Sequence, residues 1–422
     1  MAQPVTAGVA VAVAGYVKML AAEGWDTVVA CPPGGELADA AEAAGARWVR
    51  WDASRGPGPS SLREARALAR VVEQVRPDVV HLHSSKAGLA GRLVRGHEVP
   101  VVFTPHAWSW LGATGPVSVA ALGWERLAAG RASAVMCGAA DEARAGRAAG
   151  LSAARWEVLT NVVDVDDLPP VGRHAARGEL GLAPTRPLVV CPARVSHQKG
   201  QDTLFEAWRR AAPEAQLVLV GSMAGDDGIL ATAPPGTIVV TPRSRTEALL
   251  WCAAADLVVA PSRYETLSLA VLEAAAMGAP VLASDVGGMR EALVGTPASI
   301  LPPEDAGALA ATLTDALARR SELAAAAERS APLVRRRLRS TWLAGAGQLD
   351  RLYRDLMTAH VSPVPSISAL SRAATTAVSA TSPSRLRIPA RPTPRHHDRT
   401  TSPDVHHPAP VSSGAVPAGG SR

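Results

Sequence analysis

The chain is poor in the residues that mark several classes of protein. Cysteine occurs four times, at Cys31, Cys137, Cys191 and Cys252, scattered through apolar segments without C-x-x-C spacing. That spacing excludes a disulfide framework or a thiolate zinc site and points to reduced core thiols in a cytoplasmic protein. Aromatic residues make up 4% of a chain that is 47% hydrophobic, so the core must be filled by valine, leucine and alanine. No apolar run reaches the roughly 20 residues of a membrane-spanning helix. Lysine is scarce as well, confined to Lys18, Lys86 and Lys199. The formal charge of +5 is no sign of nucleic-acid binding. From residue 361 onward seven arginines stand against two aspartates, which accounts for the whole excess.

What is present is a rhythm. The 422 residues suffice for two domains with substantial cores. Short apolar runs read as strands at 27–31, 47–51, 78–83, 99–104, 134–137 and 157–160, alternating with helical patterns at 10–22, 36–44, 61–75, 87–95, 117–129 and 141–149. A second series of strands is expected at 188–191, 216–220, 237–241, 257–260 and 281–283. Strand–helix alternation predicts an α/β fold of doubly wound parallel sheets. The expected domains are 1–165, a linker over 166–187, and 188–340, with a helix over 341–358 and a disordered tail over 359–422 rich in Ser, Pro, Thr and Arg. Residues 306–358 read as helical with a break near Pro332. At the start, a glycine turn at Thr6-Ala7-Gly8 leads into a helix, but the strand that opens a Rossmann half is missing. The expectation is that the true reading frame begins upstream.

The chemistry is concentrated in Pro261-Ser262-Arg263-Tyr264-Glu265-Thr266-Leu267-Ser268, continuing through Leu272-Glu273-Ala274 to Gly278-Ala279-Pro280. An apolar strand precedes it and another follows. Glu265 therefore lies in a loop at a strand's carboxyl end, where open parallel sheets bind ligands, and Glu273 lies about two turns into the next helix. The run Cys191-Pro192-Ala193-Arg194-Val195-Ser196-His197-Gln198-Lys199-Gly200 follows the first strand of the second series, and Val102-Phe103-Thr104-Pro105-His106 puts a histidine at another strand end. His81-Leu82-His83-Ser84-Ser85-Lys86-Ala87-Gly88 is a further strand-to-helix loop, in which Ser84 or Ser85 equally reads as a helix cap.

These segments resemble the signatures of retaining nucleotide-sugar glycosyltransferases of family 4, which have the GT-B fold of two facing Rossmann-like domains. Glu265 and Glu273 have the family's spacing, and Pro-Ser, Leu-Glu-Ala and Gly-x-Pro match around them. Thr266-Leu267-Ser268 stands where the family usually has Gly-Phe-Gly. The resemblance implies that Arg194 and Lys199 bind the donor diphosphate, that Glu273 binds the ribose, and that Glu265 and His106 act at the donor sugar. Gly8, Thr266, Leu267 and Ser268 would line the donor site, and Ser84, Ser85 and Lys86 a loop toward acceptor or donor, as in members that build cell-surface glycans. It further implies a nucleotide-sugar donor, a sugar or lipid-linked acceptor, and no cofactor or metal. Asp164-Val165-Asp166 spells the D-x-D metal motif of the other main glycosyltransferase fold, but three residues are weak evidence. Arg92 and Arg95 beside Leu89, Leu93 and Val94 offer a basic-apolar surface for peripheral membrane contact, or an ordinary helix face. The competing readings are a sugar-nucleotide epimerase of the same fold and a truncated, non-catalytic nucleotide-binding homologue.

Overall fold

A computed structural model describes residues 1–93, 99–161, 163–223, 225 and 228–361, all within one compact unit. The expected tail from 362 onward, together with Val94, Arg95 and Val162, lies outside the described residues. In the first half the strands are β1 (Val28–Cys31), β2 (Arg47–Arg50), β3 (Val80–His83), β4 (Val101–Thr104), β5 (Ala134–Cys137) and β6 (Trp156–Val158). In the second half they are β7 (Leu188–Pro192), β8 (Gln216–Val220), β9 (Ile238–Val240), β10 (Leu257–Ala260), β11 (Val281–Ser284) and β12 (Ser299–Leu301). Every strand pair is parallel, and the second sheet has the order β12-β11-β10-β7-β8-β9. Order and connection make it doubly wound.

The apolar runs form strands because both of their faces are covered. Along β7, Leu188 and Val190 enter one hydrophobic cluster while Val189 and Cys191 enter another on the opposite face. Val218 and Val220 of β8 likewise oppose Leu217 and Leu219. This is the two-residue period of a strand buried between helix layers. Each such side chain contributes roughly 1.5–3 kcal/mol by leaving water, so a charged residue at Val190 would disrupt the sheet.

The first half shows the same alternation in β4, where Val101 and Phe103 pack on one side and Val102 on the other. Its sheet, however, is divided into β1-β2 and β3-β4-β5-β6. Met1–Gln3 occupies the position between them. The Ala2 N–H donates to Ala30 O (3.1 Å), the His83 N–H donates to Met1 O (2.8 Å), and Ala2 bridges His83 in parallel. Residues Met1–Gln3 thus connect β1 to β3 by backbone hydrogen bonds. Beside them runs a groove of about 420 Å³ lined by Val28, Val80, Val72, Trp25, Tyr353 and Met357 among others.

The helical segment after β12 differs from expectation. It breaks at Arg319, between helices Ala306–Ala318 and Arg320–Val361, and runs unbroken past Pro332. Val334 and Leu338 of the long helix belong to the second half's core, whereas Leu349, Leu352 and Leu356 pack with Tyr16, Met19 and Val102 of the first. Among the described residues no helix is long and apolar enough to cross a membrane.

Candidate active site

The loops that follow the strands of both sheets meet. In the second half, Gly200 ends the Arg194–Lys199 segment with φ +67, and a β-carbon there would stand 2.1 Å from Pro261 O. Only glycine lets the two loops touch this closely. The Lys199 ammonium thereby pairs with the Glu265 carboxylate, which also accepts from Ser262 Oγ (2.8 Å). Gly287, with φ +53, presses on the same loop: its β-carbon would be 2.2 Å from Glu265 O. The adjacent Gly288 N–H donates to Thr266 O (2.8 Å). Arg194 lies close by. Its carbonyl accepts from Gln201 Nε2 (3.0 Å), and a β-carbon on Gly225 would be 2.8 Å from its guanidinium. Burial pushes the Tyr264 phenol up, while Arg194 pulls it down and Glu265 adds to the rise.

Glu273 lies on the helix Leu269–Ala276 behind this loop and is paired with Arg245. Burial pushes its carboxyl up, and the Arg245 guanidinium opposes that shift. Arg245 opens the helix Arg245–Ala254, capped by Ser244 Oγ, which accepts from the Glu247 N–H (3.2 Å). Arg245 is not among the residues that the sequence motifs singled out. Thr266 and Leu267 are buried and Ser268 is half-buried at the helix N-terminus.

In the first half, His106 ends β4 in a left-handed conformation (φ 51), followed by Ala107 (φ 79). Its Nε2 lies 3.1 Å from His83 Nδ1, so one imidazole donates to the other. His83 stacks on His81 with ring centres 4.0 Å apart, and His81 is held by Tyr353 OH (2.6 Å) and Thr104 Oγ1 (2.8 Å). Burial lowers His106 to about 4 and holds His81 and His83 well below the ordinary histidine value. All three rings are therefore neutral at pH 7, and His106 is suited to hydrogen bonding rather than to carrying charge.

Other singled-out residues lie elsewhere. Lys86 is buried and its ammonium is committed within the first half, to Glu64 (2.5 Å), Gly56 O (2.8 Å) and Ser54 Oγ (3.2 Å). Ser84, with φ 72, donates to Gln3 O, and Ser85 is half-buried. Lys86 thus holds the loop 54–61 and Ser84 the segment Met1–Gln3. Gly8 is exposed on the first helix, with no atom within 4 Å of where a β-carbon would stand. Arg92 is no surface residue. It pairs with Glu125 (2.8 Å), donates to Gly88 O (2.8 Å) and lies 3.7 Å over the Phe103 ring, so it cannot form the membrane-facing patch read from the sequence. Asp164 and Asp166 of the D-x-D segment are paired with Lys18 and Arg339.

Two halves join where these loops touch. Thr266 Oγ1 donates to Glu142 Oε1 (2.7 Å), Asn161 Nδ2 donates to Leu267 O (3.3 Å), and Tyr264 OH approaches Gly112. Two Rossmann-like sheets meeting through their strand-end loops define the GT-B fold of glycosyltransferases. Solved structures with this architecture match most of the chain. Sucrose-phosphate synthase from Thermosynechococcus elongatus superposes with TM-score 0.69 at 24% identity, covering 82% of this chain and 92% of its own. Anabaena HepE in complex with UDP and glucose superposes with TM-score 0.68 at 21% identity, covering 83% and 96%. The chain belongs to family 4 of the glycosyltransferases. Residues 7–162 match the model of the glycosyl transferase 4-like domain, and residues 186–319 match that of the glycosyl transferases group 1. Among curated proteins it is similar to the D-inositol 3-phosphate glycosyltransferases of Xylanimonas cellulosilytica (32% identity over 279 residues, 59% of this chain) and Mycobacterium bovis (30% over 241 residues, 52%). The alignments span 66% and 50% of those two proteins' lengths.

Proposed function

We propose that the protein is a retaining glycosyltransferase that moves a sugar from a nucleotide-diphosphate donor to a hydroxyl of a sugar acceptor. The observation that carries this reading is the cation pairing of both motif glutamates, Lys199 with Glu265 and Arg245 with Glu273, beside a loop that Thr266 ties through Glu142 to the turn bearing His106. In the proposed step the acceptor oxygen bonds to the anomeric carbon on the face from which the diphosphate leaves. The bond from that carbon to the phosphate oxygen breaks, and the acceptor's proton passes to the departing phosphate. Negative charge grows on the diphosphate, and Arg194 and Lys199 stabilise it more in the transition state than in the ground state. With two cations assigned to that charge, the reading includes no metal. Glu273 accepts from the ribose hydroxyls, and Glu265 and neutral His106 orient the sugar. The Anabaena neighbour's complexes with UDP and UDP-glucose support a UDP-sugar donor, and the names of the curated relatives support a polar ring acceptor. The resemblance of His81–Gly88 to members that build cell-surface glycans supports an acceptor of that kind.

Thermal unfolding with saturating UDP, GDP or ADP tests the reading. At a hundred times its dissociation constant the matching nucleotide stabilises by about 2.7 kcal/mol, and Lys199→Ala and Arg194→Ala reduce that shift. No shift with any of the three nucleotides would overturn the donor assignment.

A further inference from the structure

Glu142 is a buried carboxylate that the proposed mechanism does not use. It stands on the helix Ala140–Ala148 at the carboxyl edge of the first sheet. Its Oε1 accepts from the Ala107 N–H (2.7 Å) and from Thr266 Oγ1 (2.7 Å), and its Oε2 accepts from the Gly138 N–H (2.8 Å). Ala107 immediately follows His106, and Thr266 immediately follows Glu265. One oxygen atom therefore ties together the backbone next to the histidine of one half and the side chain next to the glutamate of the other.

We propose that Glu142 and Thr266 are a positioning pair that sets the His106 turn against the Glu265 loop across the cleft. Three observations support this. The His106-Ala107 pair is left-handed, a conformation that residues with a β-carbon hold only when surroundings enforce it, and Ala107 N–H is the group Glu142 grips. Thr266 is held from its other side as well, since its carbonyl accepts from Gly288. Space at the junction is minimal: a β-carbon on Gly138 would lie 2.9 Å from Thr266 Cγ2 and 2.7 Å from Asn161 Oδ1. A carboxylate suits the role because it accepts on both oxygens; burial pushes the Glu142 carboxyl up, and the hydrogen bonds from Thr266, Gly138 and Ala107 oppose that rise. A glycine at 266 would have no hydroxyl to offer, so this bond is particular to chains with a donor side chain there.

The kinetic part of the test rests on the proposed glycosyltransferase reading; the exchange part does not. Thr266→Val preserves shape and removes the hydroxyl, while Thr266→Ser preserves the hydroxyl. In the full chain, amide exchange at Ala107 is expected to quicken about tenfold or more in Thr266→Val and to return to within about threefold of wild type in Thr266→Ser. With UDP-glucose as probe, kcat for release of UDP falls about tenfold to a hundredfold in Thr266→Val with KM changed less than about threefold, and Thr266→Ser recovers it. The proposal is overturned if Ala107 exchange in Thr266→Val equals wild type, or if Thr266→Ser is as impaired as Thr266→Val. If wild type does not turn over UDP-glucose, the donor reading fails, and the exchange difference still decides the positioning pair.

Discussion

Replacing Lys86 separates a role in the cleft from a role in folding. Lys86→Met keeps most of the side chain's length and removes its ammonium. Glu64 would remain with its side chain 5% exposed, accepting only from the neutral groups of Ser54 and Ser60. Removing one partner of a buried ion pair costs about 3–5 kcal/mol. A second route gives a similar figure. Burial alone would push the Glu64 carboxyl up, but Lys86 and the Ser54 and Ser60 donors outweigh it and lower it from 4.5 to about 2. That net difference, which includes the serine donors and the opposing cost of burial, corresponds to roughly 3 kcal/mol. Because the folded value is the lower one, this stability is fully present above pH 4.5 and is lost as the pH falls through about 2. Urea unfolding followed by tryptophan fluorescence is the assay, and Trp51 is a local reporter, since its indole N–H donates to Glu64 O (3.0 Å). At pH 7 Lys86→Met should lose about 3 kcal/mol, and Lys86→Met with Glu64→Gln should recover much of it. A loss below about 1 kcal/mol, accompanied by a fall in sugar transfer, would refute the reasoning and return Lys86 to the cleft.

Three further outcomes follow from the same geometry. His81, His83 and His106 are neutral when folded and take up protons when unfolded, so stability is present above pH 6.5 and declines as the pH falls toward 4. The slope is about 1.4 kcal/mol per pH unit for each proton of difference; a urea midpoint unchanged between pH 7 and pH 5 would contradict it. Gly287→Ala places a β-carbon 2.2 Å from Glu265 O at φ +53 and should destabilise by roughly 1–3 kcal/mol and depress nucleotide binding. Gly8→Ala, with nothing within 4 Å, should leave the melting temperature nearly unchanged.

Strands such as β4, β7 and β10 were legible because each is a short apolar run covered on both faces, and the motif glutamates because their spacing lies within one strand–loop–helix unit. β12 escaped notice: Ser299-Ile300-Leu301 is a half-buried edge strand too short to show a period. Long-range pairings were not legible. Glu125 lies 33 residues from Arg92, and Glu142 lies 124 residues from Thr266, so neither the burial of the arginine nor the tie across the cleft has a local signature. Pro332 read as a break because proline removes a helical hydrogen bond. The helix continues there because Val334 and Leu338 just beyond it are anchored in the second core.

That helix, Arg320–Val361, is 42 residues long and so reaches about 63 Å. It serves as a wall of two cores at once. Neither half can expose its buried surface without uncovering part of the other, so the folding of each half lowers the free energy of the other. Because an α-helix is stiff along its axis, a change in the cleft's width must bend this rod or roll one core along it.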